Sequence, residues 1–361
     1  MRRRVAAGVG FAALLFLLVQ LGALALVPTF YESGYQTVED PSDPTNSLVY
    51  IVAILVATAA MLAAFKNDLD WVVRAFVVLA AASISWYVFS VLLSPVAAIG
   101  ASLVLAALLV VHPEWYVIDA AGVVMGAGAA GLFGISFGLL PAILLLSVLA
   151  VYDAISVYGT EHMLDLASGV MDLKLPVVLV VPTTLSYSLR DTDAGKTVSE
   201  AKRDGGGDAD AEESPVADAE LSSAADAEVE ATETGDEENE GDEHDADDEG
   251  DEHDADDEGD VRDAFFIGLG DAVMPTVMIA SAAFFLPAEL TPSLGVEWLP
   301  ALTLPALTAM IGTFAGLFAL LWMVLKGRAH AGLPLLNGGA IGGYLVGALL
   351  SGVPILTALG L

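Results

Sequence analysis

The sequence predicts an all-α polytopic membrane protein of about nine transmembrane helices, with a disordered acidic cytoplasmic loop between the sixth and the seventh. Three observations carry this. Hydrophobic residues make up 56% of the 361-residue chain. Long stretches such as 48–65 and 303–325 are nearly free of charge, each close to the roughly 20 residues that span a hydrocarbon core. Of the 47 acidic residues, 28 fall between Asp204 and Asp260, where there is no Lys or Arg. A soluble enzyme is excluded. Cysteine is absent, which removes disulfides, thiolate nucleophiles and Cys-based zinc or iron–sulfur sites together.

The first span, 5–27, follows Arg2-Arg3-Arg4 and has no clean small-residue cleavage site, so it reads as a retained helix rather than a signal peptide. The remaining spans are 47–65, 71–93, 95–111, 117–133, 136–158, 264–287, 303–325 and 333–352. The short fourth and fifth rest on the breaks at Ser94-Pro95 and His112-Pro113-Glu114. Basic residues accumulate on cytoplasmic loops. With the N-terminus inside, Arg2 to Arg4, Lys66, Arg74, the six basic residues from Lys174 to Arg262, Lys326 and Arg328 all lie inside, which accounts for all 13. One helix more or fewer in the middle would break that pattern, so the charges support nine crossings of the cell membrane, a cytoplasmic N-terminus and large loop, and an external C-terminus. Three segments follow: an N-terminal membrane part, 1–190; an acidic loop, 191–262; and a C-terminal membrane part, 263–361.

The acidic loop is poor in aromatics and carries a direct repeat, the nine residues from Gly241 recurring from Gly250. Such a composition cannot bury enough apolar surface to fold. Asp245, Asp247, Glu249 and Gly250, with Asp256 in twelfth place, imitate a calcium-binding EF-hand loop, but flanking helices are absent and Glu stands where Asp or Asn belongs. A solvated spacer explains the segment better, and the repeat explains His244 and His253.

Two aspartates interrupt the apolar runs: Asp153 near the end of the sixth span and Asp271 within Gly268-Leu269-Gly270-Asp271 at the start of the seventh. A carboxylate at membrane depth costs roughly 2.5–3.5 kcal/mol on translocon scales, so two call for a reason. Both spans meet the cytoplasmic side across the same loop, which allows the two to face each other at similar depth. Two adjacent carboxyls share a proton and titrate as a pair, so that one activates water while the other protonates a carbonyl oxygen. Gly268 and Gly270 let backbones approach closely or simply start a helix. Asp119, Glu289 and Glu297, at span edges or in loops, read as solvated.

Tyr152-Asp153 on a sixth helix, Gly268-Leu269-Gly270-Asp271 on a seventh, nine spans and a long loop between them resemble the presenilin and signal peptide peptidase family of GxGD intramembrane aspartyl proteases, most closely its archaeal presenilin-like members. The likeness covers most of the chain except the acidic loop. It implies that Asp153 and Asp271 are the catalytic pair, supported by Tyr152, Gly268 and Gly270. The family also carries Pro-Ala-Leu at the start of the ninth helix. Two literal copies, Pro300-Ala301-Leu302 just before the eighth span and Pro305-Ala306-Leu307 at its very start, lie on the external side and are decoys. The positional match is Pro334-Leu335-Leu336, with Leu in place of Ala. A proline there suits a helix start.

Cleaving a helical substrate requires unwinding it, and the β-branched, proline-bounded segment Leu175 to Pro182 reads as a short strand that can pair with the opened chain. Glu161 to Ala167 reads as a short interfacial amphipathic helix carrying His162. Gly338, Gly339, Gly342 and Gly343 argue for close packing of the ninth helix. The resulting expectation is an intramembrane aspartyl endopeptidase acting on transmembrane-helix protein substrates in the lipid bilayer, with no metal, no organic cofactor and no nucleic-acid partner. The alternative is an ion or proton transporter or channel using the same carboxylates. It predicts an inverted repeat, and the two halves show no convincing self-similarity. A noncatalytic scaffold leaves the two acids unexplained.

Overall fold

The computed structural model describes residues 2–67, 69–159, 177–182, 264–326 and 331–361. The described residues all lie in one compact unit, 1–205 with 262–361; residues 206–261 lie outside the described residues.

Nine long helices appear among the described residues, each at a predicted span. They are α1 (Arg2–Glu32), α2 (Thr45–Lys66), α3 (Asp70–Leu92), α4 (Pro95–Val111), α5 (Trp115–Ser136), α6 (Leu139–Gly159), α7 (Leu269–Phe285), α8 (Leu304–Val324) and α9 (Gly332–Leu350), followed by a short α10 (Ile355–Ala358). Seven are long and apolar enough to cross a membrane; α4 and α7 are apolar but have 17 residues each. The punctuation is local. Pro95 opens α4 in its first turn, where its missing N–H costs nothing. The Thr303 side chain accepts from the Ala306 amide to cap α8.

The seventh span departs from expectation. Residues 264–268 form a strand, β2 (Ala264–Gly268), and helix begins only at Leu269. A five-residue apolar run has no periodicity to separate helix from strand, and here a partner decides it. That partner is β1 (Val178–Pro182), which lies within the predicted strand and pairs antiparallel with β2, Val178 opposite Gly268 and Pro182 opposite Ala264. Leu175, Pro176 and the segment 161–167, expected as an interfacial helix, lie outside the described residues.

The core is stacked along the helices. One cluster joins α1, α5, the two strands, the first turns of α7, the end of α8 and Leu336 of α9. A second joins the start of α6, the end of α7, the start of α8 and the far end of α9. At the rim, α2, α3 and α4 present exposed residues such as Val56, Trp71, Phe76, Leu79 and Val96, faces that suit lipid rather than water.

The tightest contact is α8 on α9. Gly312 and Gly339 each sit where a Cβ would strike the other's backbone, Gly316 meets the Leu335 carbonyl, and Gly343 meets Thr308. Glycines at such a seam let two backbones touch, which is what holds helices together where no water drives them. The sequence assigns this role to four glycines of α9. Only Gly339 and Gly343 fill it against α8, and Gly338 and Gly342 face open space.

Candidate active site

The cytoplasmic ends predicted for α6 and α7 carry Asp153 and Asp271, and the first turn of α9 lies against both. Asp153 is buried at 7% exposure among the residues of α6. Its Oδ2 accepts a 3.0 Å hydrogen bond from the Leu333 amide. That amide is one of the N–H groups that every helix start leaves without an intrahelical partner. Pro334, next in the turn, has no N–H to satisfy and a φ already suited to the helix. The partial positive charge of a helix N-terminus therefore rests on Asp153, the arrangement that complements a negative charge shared by neighbouring carboxyls.

Asp271, half-buried in the first turn of α7, is flanked by two glycines. A Cβ on Gly332 would stand 3.2 Å from both of its carboxyl oxygens, and one on Gly268 would stand 3.4 Å from Oδ2. Asp153 and Asp271 lie within electrostatic range of each other. Gly332 and Leu333, consecutive in the chain, thus join the two acids.

The other predicted residues divide. Gly270 is exposed and a Cβ there would meet nothing within 4 Å, so no packing demands a glycine at that position. Tyr152 is 40% exposed. Leu336 is fully buried, while Leu335 lays its backbone against Gly316 of α8. The close approach at this point of α9 is made by the glycine of α8, so a leucine at 335 is accommodated. Pro305 and Thr308 lie against Gly347, near the opposite end of α9. Gly347 is 15 residues from Gly332, or about 22 Å along a helix, so Pro305-Ala306-Leu307 is remote from the acids.

Two residues escaped the sequence reading. Asn337 is fully buried and its Nδ2 donates to the Leu146 carbonyl at 3.0 Å, tying α9 to α6 three residues beyond Pro334. An amide inside an apolar run was its signal. Asp119 is not solvated, as its position near a span edge suggested, but 3% exposed. Its Oδ1 accepts from the Val180 amide at 2.7 Å. A cavity of 240 Å³ opens between α6 and α9 beside Asp153, lined by Ala150, Ala154, Pro334, Asn337 and Gly338 among others. No cluster of His, Cys, Asp and Glu among the described residues could hold a metal ion.

The sequence matches the family described as signal-peptide peptidase, presenilin aspartyl protease, over residues 13–211 and 238–353. The chain belongs to this family. Two solved structures of a presenilin family intramembrane aspartate protease, in C222 and P2 space groups, are similar to it. The first is 26% identical with a TM-score of 0.56, over 95% of this chain and 99% of that one. The second is 28% identical with a TM-score of 0.53, over 94% and 96%. No curated protein sequence matches. With its fold and its apolar helices, the chain is a presenilin-type intramembrane aspartyl protease, an aspartic endopeptidase built as a multi-pass membrane protein.

Proposed function

We propose that Asp153 and Asp271 are the catalytic dyad, hydrolysing peptide bonds within the transmembrane helices of single-pass proteins with water as the nucleophile. The observation that carries this is the first turn of α9, which gives Asp153 a backbone donor and Asp271 a glycine wall. The two carboxyls share one proton. The ionised member takes a proton from water as it attacks the scissile carbonyl carbon, and the protonated member donates to the carbonyl oxygen. The proton taken from water then passes to the leaving nitrogen as the C–N bond breaks, one hydroxyl of the gem-diol gives its proton back to the pair, and the pair returns to its starting state. Pro334, Leu335 and Leu336 support the site by starting α9 at this level, and Gly268 by leaving room for Asp271. Tyr152 and Gly270 face outward, toward an incoming substrate.

The hairpin supplies the surface on which a substrate is held open. Leu269 N donates to Val177 O, which fixes the ladder phase: residues 265 and 267 bond to β1, whereas the backbone groups of Ala264, Phe266 and Gly268 point away from it. The outward edge of β2 leads straight to Asp271. An unwound substrate adding a strand there has its backbone drawn along the hairpin toward the acids. The strand offered to substrate is therefore β2, because β1 has β2 on one side and Asp119 on the other. The segments 1–190 and 263–361 build the membrane part, and 191–262 is a cytoplasmic spacer, with the C-terminus external.

Cleavage of a panel of reconstituted single-pass substrates by the wild type and by Asp271→Ala, with fragment masses locating the cut, tests the reading. Cuts inside the substrate's span that vanish in the variant support it. Inert proteins with an Asp271-dependent ion flux into proteoliposomes would make the acids a transport site instead.

A further inference from the structure

We propose that Asp119 is a positioning residue of the protease: by holding the Val180 amide it shuts the outer edge of β1 and fixes the hairpin that delivers α7 and Asp271. The proposal rests on the dyad reading above.

Asp119 sits in the second turn of α5, buried among apolar neighbours, and takes no part in the chemistry of the dyad. Only one of its oxygens is engaged. Oδ1 receives the Val180 N–H at 2.7 Å, and Oδ2 is buried with no hydrogen-bond partner among the described residues. Burying a carboxyl costs free energy unless it is hydrogen-bonded, and the register explains what this one does. In β1 the backbone groups of 178, 180 and 182 point away from β2. Pro182 has no N–H to offer, as suits a proline on a strand edge. Asp119 occupies the Val180 donor in the middle of that edge. The β1 side is thus closed to a further strand.

The same face of α5 grips the start of α7. One turn beyond Asp119, a Cβ on Gly122 would meet Leu179 of β1 at 2.9 Å and Leu269 at 3.8 Å. One turn further, Gly126 lies against Leu269 and Val19. Leu269 is the first residue of α7, two before Asp271. Asp119, Gly122 and Gly126 therefore form one stripe that bonds β1 and packs the residue from which Asp271 is projected. Releasing the bond frees the hairpin to shift along this stripe, and displacement of a reacting group by about 1 Å costs on the order of 10²-fold in rate.

The test uses the full chain reconstituted in bilayers, with Asp119→Ala, Asp119→Asn, Val180→Pro and the Asp119→Ala/Val180→Pro double variant. Hydrogen exchange of peptides covering 177–182 and 264–268 is measured beside kcat, KM and the masses of fragments cut from one single-pass substrate. Asp119→Ala is expected to speed exchange in both strands at least about tenfold, to lower kcat about 10- to 100-fold with KM little changed, and to spread the cuts over several positions. Asp119→Asn, which keeps an oxygen acceptor, restores all of these. Val180→Pro removes the donor at a position that makes no ladder bond, so it reproduces Asp119→Ala, and the double variant is no worse than either alone. Unchanged exchange in Asp119→Ala overturns the proposal, as does an Asn variant as impaired as Ala. If the wild type cleaves nothing, the dyad reading fails separately, and the exchange measurement still decides whether Asp119 anchors the hairpin.

Discussion

Gly332 stands against the carboxyl of Asp271: a Cβ there would lie 3.2 Å from both oxygens, closer than ordinary van der Waals contact. Those atoms end a side chain borne on the first turn of α7, so an added Cβ makes the carboxyl yield by a few tenths of an ångström. Gly332→Ala is expected to leave helix content and thermal stability near wild type and to lower kcat about tenfold or more. Gly332→Val should abolish cleavage. Equal activity of the Ala variant in a reconstituted cleavage assay would show that this contact does not position the acid.

The acids themselves should tolerate isosteric replacement structurally and not chemically. Asp153→Asn and Asp271→Asn retain shape and a hydrogen-bonding carbonyl, including an acceptor for Leu333, but cannot share a proton as two carboxyls do. Each is expected to lose about 10²–10⁴-fold in cleavage rate, the range for a general acid or base. The wild-type rate should be bell-shaped in pH, falling on the acid side as the second carboxyl protonates and on the alkaline side as the shared proton is lost. A monotonic profile, or a single Asn variant with substantial activity, would remove the dyad.

The two glycines around Asp271 should separate on substitution. Gly268 faces the Asp271 carboxyl, whereas Gly270 faces open space. Gly270→Ala should fold as the wild type does, and because helix prefers Ala over Gly by about 1 kcal/mol it should be no less stable. Any loss of cleavage in that variant then measures what an approaching substrate needs at this surface. A fall in melting temperature would contradict the open environment.

Much of this architecture was legible in the sequence, and the exceptions share a cause. The nine helices follow from apolar length, and Asp153 and Asp271 stand out because charge is rare inside such runs. Asp119 did not stand out, since two residues inside a predicted span edge is where a solvated acid would also sit; its burial depends on a strand 61 residues away. The helix-to-strand change at Ala264–Gly268 was hidden in the same way: β1 was legible from its β-branched residues, but its partner β2 lies beyond the acidic segment and shows no strand periodicity of its own. The opposed roles of neighbouring glycines in α9 depend on which side α8 lies, and hydropathy carries no such information.

Along β2, proline offers a sharp test of which edge serves the substrate. Phe266 N–H points away from β1, so Phe266→Pro should leave the hairpin paired and remove one donor from the outward edge. Ile267 is opposite Leu179 in a pair that carries ladder bonds, so Ile267→Pro should break the hairpin itself. Both should lose cleavage, but only Ile267→Pro should accelerate hydrogen exchange across 177–182. If Phe266→Pro cleaves as well as the wild type, an incoming strand does not add to β2. The unwound substrate would then have to be held elsewhere, and the cavity between α6 and α9 beside Asp153 becomes the place to probe with substitutions at Ala154 and Gly338.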